Sequence, residues 1–150
     1  MIWMFIILAS AQTYPDKTLT PGVVRVVSKE ELCRVGSTKD ARKVTQANKN
    51  EVFRRYGMIK GKFNPGDYEI DHFISLELGG ANDLNNLWSQ PYCKTGNDPL
   101  KTGCWGAREK DFIETALHRQ ICKNKISIEQ AQQIIKTDWV AEYKKIKGLK

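Results

Sequence analysis

Apolar residues recur at helical spacing along three stretches of the chain, and each stretch predicts a helix. The first covers residues 38–56 and ends at Gly57, a residue type that commonly follows the last turn of a helix. The second covers residues 106–122. The third begins at Ser127, which has capping-box spacing to Gln130. The face of this last helix that is predicted to be buried consists of Ile128, Ala131, Ile135, Trp139 and Ile146.

The segment before these helices predicts less regular structure. Residues 12–27 contain turn-forming proline and glycine and are expected to form an extended arm or edge segment. Ser28 and Glu31 have the spacing of a second capping box, which predicts a short helix that ends near Cys33.

Between the first and second long helices the pattern changes to that of a strand. Residues 68–73 alternate between polar and apolar side chains and follow a turn signal at 64–67. The pair Gly79-Gly80 breaks this pattern, residues 82–88 are expected to form a loop that leads into a second short strand, and another loop is expected from Ser89 to Trp105. The predicted fold class is therefore α+β, with a small two-stranded hairpin and helices packed around it.

Composition limits the class of protein. The chain has 150 residues, with 24 Lys and Arg against 17 Asp and Glu, so its net charge is +7. Its length suits one domain, predicted over residues 12–150, and no apolar run reaches the roughly 18 residues that a membrane span needs. The positive charge leaves phosphate-bearing partners open but is weak evidence for them.

The first eleven residues resemble a processing signal. Residues 1–11 carry no charged side chain and end in Ala9-Ser10-Ala11, a typical cleavage site. We expect a signal peptide over 1–11, a mature chain that begins at Gln12, and a secreted or periplasmic location. The alternative is that this segment forms a buried N-terminal strand.

The four cysteines fit an exported chain. None is in a C-x-x-C pair and the chain has only two histidines, so a zinc-knuckle framework is not expected. Four cysteines allow three disulfide connectivities, of which we prefer Cys93–Cys104 with Cys33–Cys122. The alternative is four free, buried thiols.

Three residue pairs give the most specific functional signal. They are Asp71-His72, Gly79-Gly80 and Asn86-Leu87. This ordered set resembles the signature of the HNH nucleases, the ββα-metal superfamily. The later helix, with Lys110, Asp111, Glu114 and His118, resembles that of small secreted HNH-like bacterial proteins. The resemblance implies a ββα-metal core of hairpin plus helix, with additional packing helices.

The resemblance also implies residue roles that suit phosphodiester hydrolysis. Neighbouring residues of a strand point to opposite faces, so Asp71 and His72 must act differently. His72 is expected to be the general base, since an unperturbed histidine titrates near neutral pH. Asp71 is expected to be a metal ligand, and Asn86 to brace the loop that orients His72.

The remaining metal ligand is less clear from the sequence. Many HNH proteins place His or Asn at the start of the helix, where this chain has Gly and Ala. Glu114 is the preferred ligand, with Asp111 and His118 as alternatives on the same arc of the helix. The competing interpretation is that Glu114 forms an ion pair with Lys110 on a solvated face. Oxygen ligands favour Mg²⁺ or Mn²⁺, and a histidine ligand would favour Zn²⁺.

Nucleic acid is the expected partner, with DNA preferred to RNA. Arg108 and Lys110 are the nearest candidates for phosphate contacts, followed by Arg54 and Arg55, although a solvated helix face is the preferred explanation for most charges on the helix that carries the last two. The predicted function is a metal-dependent endonuclease with little sequence preference. One alternative is a catalytically inactive HNH-like module that binds nucleic acid, and another is a disulfide-stabilised structural protein of the envelope.

Overall fold

The computed structural model describes residues 12–93 and 98–150. The segment expected to be a signal peptide, residues 1–11, lies outside the described residues. Within the described ranges the chain is α+β, as its sequence predicts. The helices are α1 (Lys29–Leu32), α2 (Ser37–Ala41), α3 (Gln46–Arg55), α4 (Pro99–Thr102), α5 (Ala107–Cys122) and α6 (Ile128–Lys147), and the strands are β1 (Tyr68–His72) and β2 (Leu87–Pro91).

The two strands form an antiparallel hairpin, and their register determines which side chains lie on each of its faces. Asp71 is paired with Trp88, and His72 is paired with Leu87. Paired residues share a face, so Asp71 and Trp88 lie on one side of the hairpin and His72 on the other. Trp88 is fully buried in the main core, which places the Asp71 side of the hairpin against that core.

The core lies between the hairpin, α5 and α6. Ile113 and Leu117 of α5 pack with Ile135 and Trp139 of α6, and all four are fully buried. The helix α6 is kinked at Asp138, whose side chain accepts hydrogen bonds from the backbone N–H of Ala141 and from the Tyr14 hydroxyl of the N-terminal arm. Beyond the kink the predicted apolar face is maintained only in part, since Trp139 is fully buried whereas Ile146 is 38% exposed.

Both predicted serine caps are present. The Ser28 hydroxyl accepts a hydrogen bond from the Glu31 backbone at the start of α1. Ser127 and Gln130 form a reciprocal capping box at the start of α6. These caps satisfy backbone N–H groups that have no partner within the helix, and they set where each helix begins.

The single helix predicted over residues 38–56 is wrong, because the chain is extended at Arg42 and forms α2 and α3 instead. Thr45 caps α3 in a reciprocal box with Asn48. The side chain of Asn82 forms hydrogen bonds with two backbone groups at the break. Its Nδ2 donates to the Ala41 carbonyl, and its Oδ1 accepts from the Lys43 N–H. These hydrogen bonds replace the helical ones that a continuous helix would make.

Both preferred disulfides are confirmed. Cys33–Cys122 joins the end of α1 to the end of α5, and Cys93–Cys104 closes a short loop before α5. Disulfides are typical of oxidising compartments, so the pairing is compatible with an extracellular location. No helix within residues 12–93 and 98–150 has both the length and the apolar character needed to cross a membrane.

Candidate functional site

The imidazole of His72 is held by one amide side chain. His72 is the last residue of β1 and is buried, and its Nε2 lies 3.1 Å from Asn82 Oδ1. A carbonyl only accepts and a backbone N–H only donates, so the contacts of Asn82 with Ala41 and Lys43 fix its oxygen toward His72. In the neutral ring Nε2 must then carry the proton, which leaves the lone pair on Nδ1 as the base.

The surroundings of His72 favour this neutral form. Burial lowers the pKa of His72 below the ordinary value of 6.5, because the protonated ring loses hydration. The hydrogen bond to Asn82 and the charge of Asp71 oppose this shift, whereas the positive charges of Arg42 and Lys110 add to it. A histidine with a lowered pKa remains available as a base at neutral pH.

His72 lines a cleft that also contains two cationic side chains. The cleft has a volume of about 440 Å³ and is lined by Arg42 and Lys49 together with Tyr68 and Tyr92. Arg42 and Lys49 are exposed, and neither forms an ion pair with any residue that the structure describes. Arg42 and Lys49 outnumber Glu69, the acidic residue of the same lining, so the cleft has the net positive charge that a phosphate group would require.

Sequence reasoning missed the importance of Arg42, Lys49 and Asn82. The signal that could have found the two cations is the capping spacing of Thr45 and Asn48, which predicts that a helix begins there. A helix that starts at this point leaves Arg42 in a connecting segment and puts Lys49 in the first turn of the new helix. Asn82 follows the Gly79-Gly80 pair closely, but nothing in its spacing identifies a contact with His72.

Asn86 braces the loop that follows His72. Its side-chain oxygen accepts a hydrogen bond from the Ile74 N–H, and its amide nitrogen donates to the carbonyls of Ile74 and Ala81. Asn86 is fully buried. The loop also needs Gly80, because a Cβ there would lie 1.7 Å from the Ile74 carbonyl oxygen and 2.8 Å from Asn86 Nδ2.

On the opposite side of the hairpin, Lys110 links the two carboxylates that the sequence suggested as metal ligands. Its Nζ donates to Asp71 Oδ2 at 2.8 Å, to the His72 carbonyl oxygen at 2.9 Å, and to Glu114 Oε1. Burial alone would lower the pKa of Lys110, but the attraction of Asp71 and Glu114 outweighs this and raises it. The side chain is fully buried, which corrects the expectation that Lys110 contacts a phosphate.

Asp111 and His118, the two alternative candidates for the remaining metal ligand, do not form a ligand set with Asp71 and Glu114. Asp111 is exposed, and partial desolvation together with the charges of Asp71 and Glu69 raises its pKa to about 6. His118 lies 3.1 Å through its Nε2 from the Leu32 carbonyl oxygen. Burial raises the pKa of Glu114, an effect that the Lys110 ammonium opposes.

These residues do not fit a divalent metal. Among the described residues, the only group of three potential ligand side chains with atoms within 4.8 Å of one another is Cys33, His118 and Cys122. The two sulfurs of that group are bonded to each other in a disulfide, and a metal binds the thiolate form. Between Asp71 and Glu114, the Lys110 ammonium already occupies the position that a cation would take.

The remaining cationic candidates lie in three different settings. Arg54 makes two hydrogen bonds to the carboxylate of Glu51 on its own helix. Arg55 donates to the Leu19 carbonyl and to Asn85 Oδ1, and so ties α3 to the N-terminal arm. Arg108 is exposed in the first turn of α5. None of the three lines the cleft that contains His72.

No family model, curated protein or solved structure matches this chain.

Proposed function

We propose that this protein hydrolyses phosphodiester bonds in nucleic acid, with DNA as the preferred substrate and His72 as the general base. One observation carries the proposal. The imidazole of His72 is fixed by Asn82 in a defined tautomer and lines a cleft that also holds Arg42 and Lys49. The cleft thus brings together a base, two cations that form no ion pair among the described residues, and a space for a phosphate group, and phosphodiester hydrolysis uses all three.

In the proposed reaction, a water molecule in the cleft attacks the phosphorus atom and transfers a proton to His72 Nδ1. The new bond joins the water oxygen to phosphorus, and the bond from phosphorus to the leaving ester oxygen breaks. The leaving oxygen takes a proton from solvent, and His72 later returns its own proton to solvent. Arg42 and Lys49 stabilise the negative charge that develops on the phosphoryl oxygens.

We further propose that β1, β2 and α5 correspond to the ββα core of the HNH nucleases. The resemblance of Asp71-His72, Gly79-Gly80 and Asn86 to that signature supports this correspondence, as does the hydrogen bond from Lys110 of α5 to Asp71 of β1. The uncharged leader over residues 1–11, followed by a disulfide-bonded domain, supports export to the periplasm or the medium.

The oxidised full chain should therefore be incubated with supercoiled plasmid, single-stranded DNA and RNA, in chelator and with Mg²⁺ or Mn²⁺. We expect nicking of the plasmid by wild type and a loss of about 100-fold or more in His72→Ala. Arg42→Ala/Lys49→Ala should bind DNA less tightly and with a weaker salt dependence. Lys123→Ala/Lys125→Ala removes the same charge outside the cleft and should behave like wild type.

A second candidate function is nucleic-acid binding without hydrolysis, and the lysine between Asp71 and Glu114 favours it because the resemblance to HNH nucleases implies a metal ligand at Asp71. This candidate predicts that wild type and His72→Ala retard DNA equally on a gel and that neither cleaves any substrate. If neither protein binds nor cleaves nucleic acid, both candidate functions are wrong.

A further inference from the structure

We infer that Lys110 is a permanent, built-in cation that takes the place of a divalent metal between Asp71 and Glu114. The inference rests on the proposed function only where it concerns catalysis, and it also makes a prediction about metal binding that does not depend on activity.

The hydrogen bonds of Lys110 are complete. A protonated lysine has three N–H donors, and here they go to Asp71, to Glu114 and to the His72 carbonyl oxygen. Two carboxylate oxygens and a carbonyl oxygen are ligands that Mg²⁺ or Mn²⁺ would choose, so the surroundings of the ammonium are those of a cation site.

The burial of this group makes exchange with a metal unfavourable. The side chain of Lys110 is 1% exposed, that of Glu114 is 4% exposed and that of Asp71 is 14% exposed. A divalent ion could reach the same oxygens only if the ammonium left, because the two cations would repel each other at hydrogen-bonding distance. Removing one partner from a buried ion pair leaves an uncompensated buried charge, which is strongly destabilising.

Lys110 also contacts the backbone of His72, the residue whose side chain lines the cleft. It reaches the backbone of His72 from the α5 side, whereas the imidazole of His72 faces the cleft on the other side of the hairpin. Lys110 is therefore a positioning residue that fixes the end of β1. Charge on the substrate is neutralised from the other side of the hairpin, by Arg42 and Lys49.

The inference is tested by titrating Mn²⁺ into the oxidised full chain, with electron paramagnetic resonance and thermal unfolding as readouts. Wild type should bind no Mn²⁺ at this position, and its Tm should not change between chelator and excess Mn²⁺. In Lys110→Ala the three oxygens lose their ammonium, and Mn²⁺ should bind and raise the Tm by about 5 °C. The matched control is Lys110→Ala/Asp71→Asn, which should lose this gain.

Two results would overturn the inference. The first is stoichiometric Mn²⁺ binding by wild type that Asp71→Asn abolishes. The second is a folded Lys110→Ala variant that binds no Mn²⁺, since these oxygens would then not form a cation site. If Lys110→Ala does not fold in chelator, recovery of the fold on addition of Mn²⁺ supports the inference, and the wild-type titration still decides it.

Activity gives an independent comparison. If both proposals hold, wild type cleaves DNA in chelator. If wild type cleaves nothing under any condition, the proposed function fails while the Mn²⁺ titration still decides the role of Lys110.

Discussion

Asn82 Oδ1 lies 3.1 Å from His72 Nε2, and the nitrogen of the same amide group donates a hydrogen bond to the Ala41 carbonyl, where the chain leaves α2. One side chain therefore sets both the tautomer of the proposed base and the position of the segment that carries Arg42. Because the Ala41 carbonyl can only accept a hydrogen bond, the amide cannot reverse its orientation without losing this contact. Asn82 does not itself line the cleft, but it contacts His72, which does.

We expect Asn82→Ala to reduce kcat/KM for DNA cleavage by roughly 10- to 100-fold, because the imidazole loses the contact that orients it. Asn82→Asp retains an acceptor for Nε2 and should restore part of the rate, with the acid limb of the pH profile moved to higher pH by the added negative charge. The measurement is the pH dependence of plasmid nicking. Asn50→Ala, on the exposed side of α3, is the matched control and should leave the rate unchanged. An Asn82→Asp variant with an unmoved pH profile would contradict this role.

The buried imidazole predicts a specific pH dependence. Since burial lowers the pKa of His72 below 6.5, the unfolded chain takes up a proton near pH 6.5 while the folded chain remains neutral at this position. The free energy of unfolding should therefore decrease as pH falls from 7 toward the folded-state pKa. This component should be absent in His72→Gln. An NMR titration of the two histidines, assigned with the same variant, should give a midpoint for His72 below 6.5, and a midpoint above that value would refute the prediction.

The two disulfides should contribute unequally to stability. Their cysteines are 89 and 11 residues apart in sequence. A crosslink that closes a longer loop removes more conformational entropy from the unfolded chain, by about 4.5 kcal/mol for Cys33–Cys122 against about 3 kcal/mol for Cys93–Cys104. Replacing each pair with alanines and measuring urea unfolding should show this order. A larger loss from the Cys93–Cys104 pair would mean that native packing, rather than loop closure, dominates.

Much of the fold follows from local signals in the sequence. The caps at Ser28 and Ser127 bind backbone groups within four residues, so their spacing alone locates the starts of α1 and α6. The period of α5 likewise reflects burial on one side of a single helix, whereas β1 is half-buried at each position except its buried last residue, His72. The confirmed disulfide pairing also follows from local features. Cys93 and Cys104 are close in sequence, and Cys33 and Cys122 lie at the ends of two predicted helices.

The candidate site depends on contacts that such signals do not contain. The spacing of Lys110 and Glu114 fits a solvated ion pair and a buried one equally well, and only the packing of α5 against Asp71 of β1 decides between them. The break at Arg42 depends on Asn82, 40 residues further along the chain. The sequence thus indicated the residues near the proposed base, but it could not show that an ammonium lies where a metal was expected.

The close approach at Gly80 gives a final prediction. A Cβ at this position would lie 1.7 Å from the backbone oxygen of Ile74, a distance that no rotamer change can relieve, and 2.8 Å from the amide of Asn86. Gly80→Ala must therefore displace the loop that follows His72 and should destabilise the fold by about 2 kcal/mol or more. Cleavage should fall as well, because Asn86 would lose its hydrogen bonds to Ile74 and Ala81. Gly66→Ala is the matched control, since its added Cβ would meet only Asn64 at 3.4 Å and should change the urea midpoint little. If both variants unfold at the wild-type urea concentration, the close packing of this loop against Asn86 is not what holds it in place.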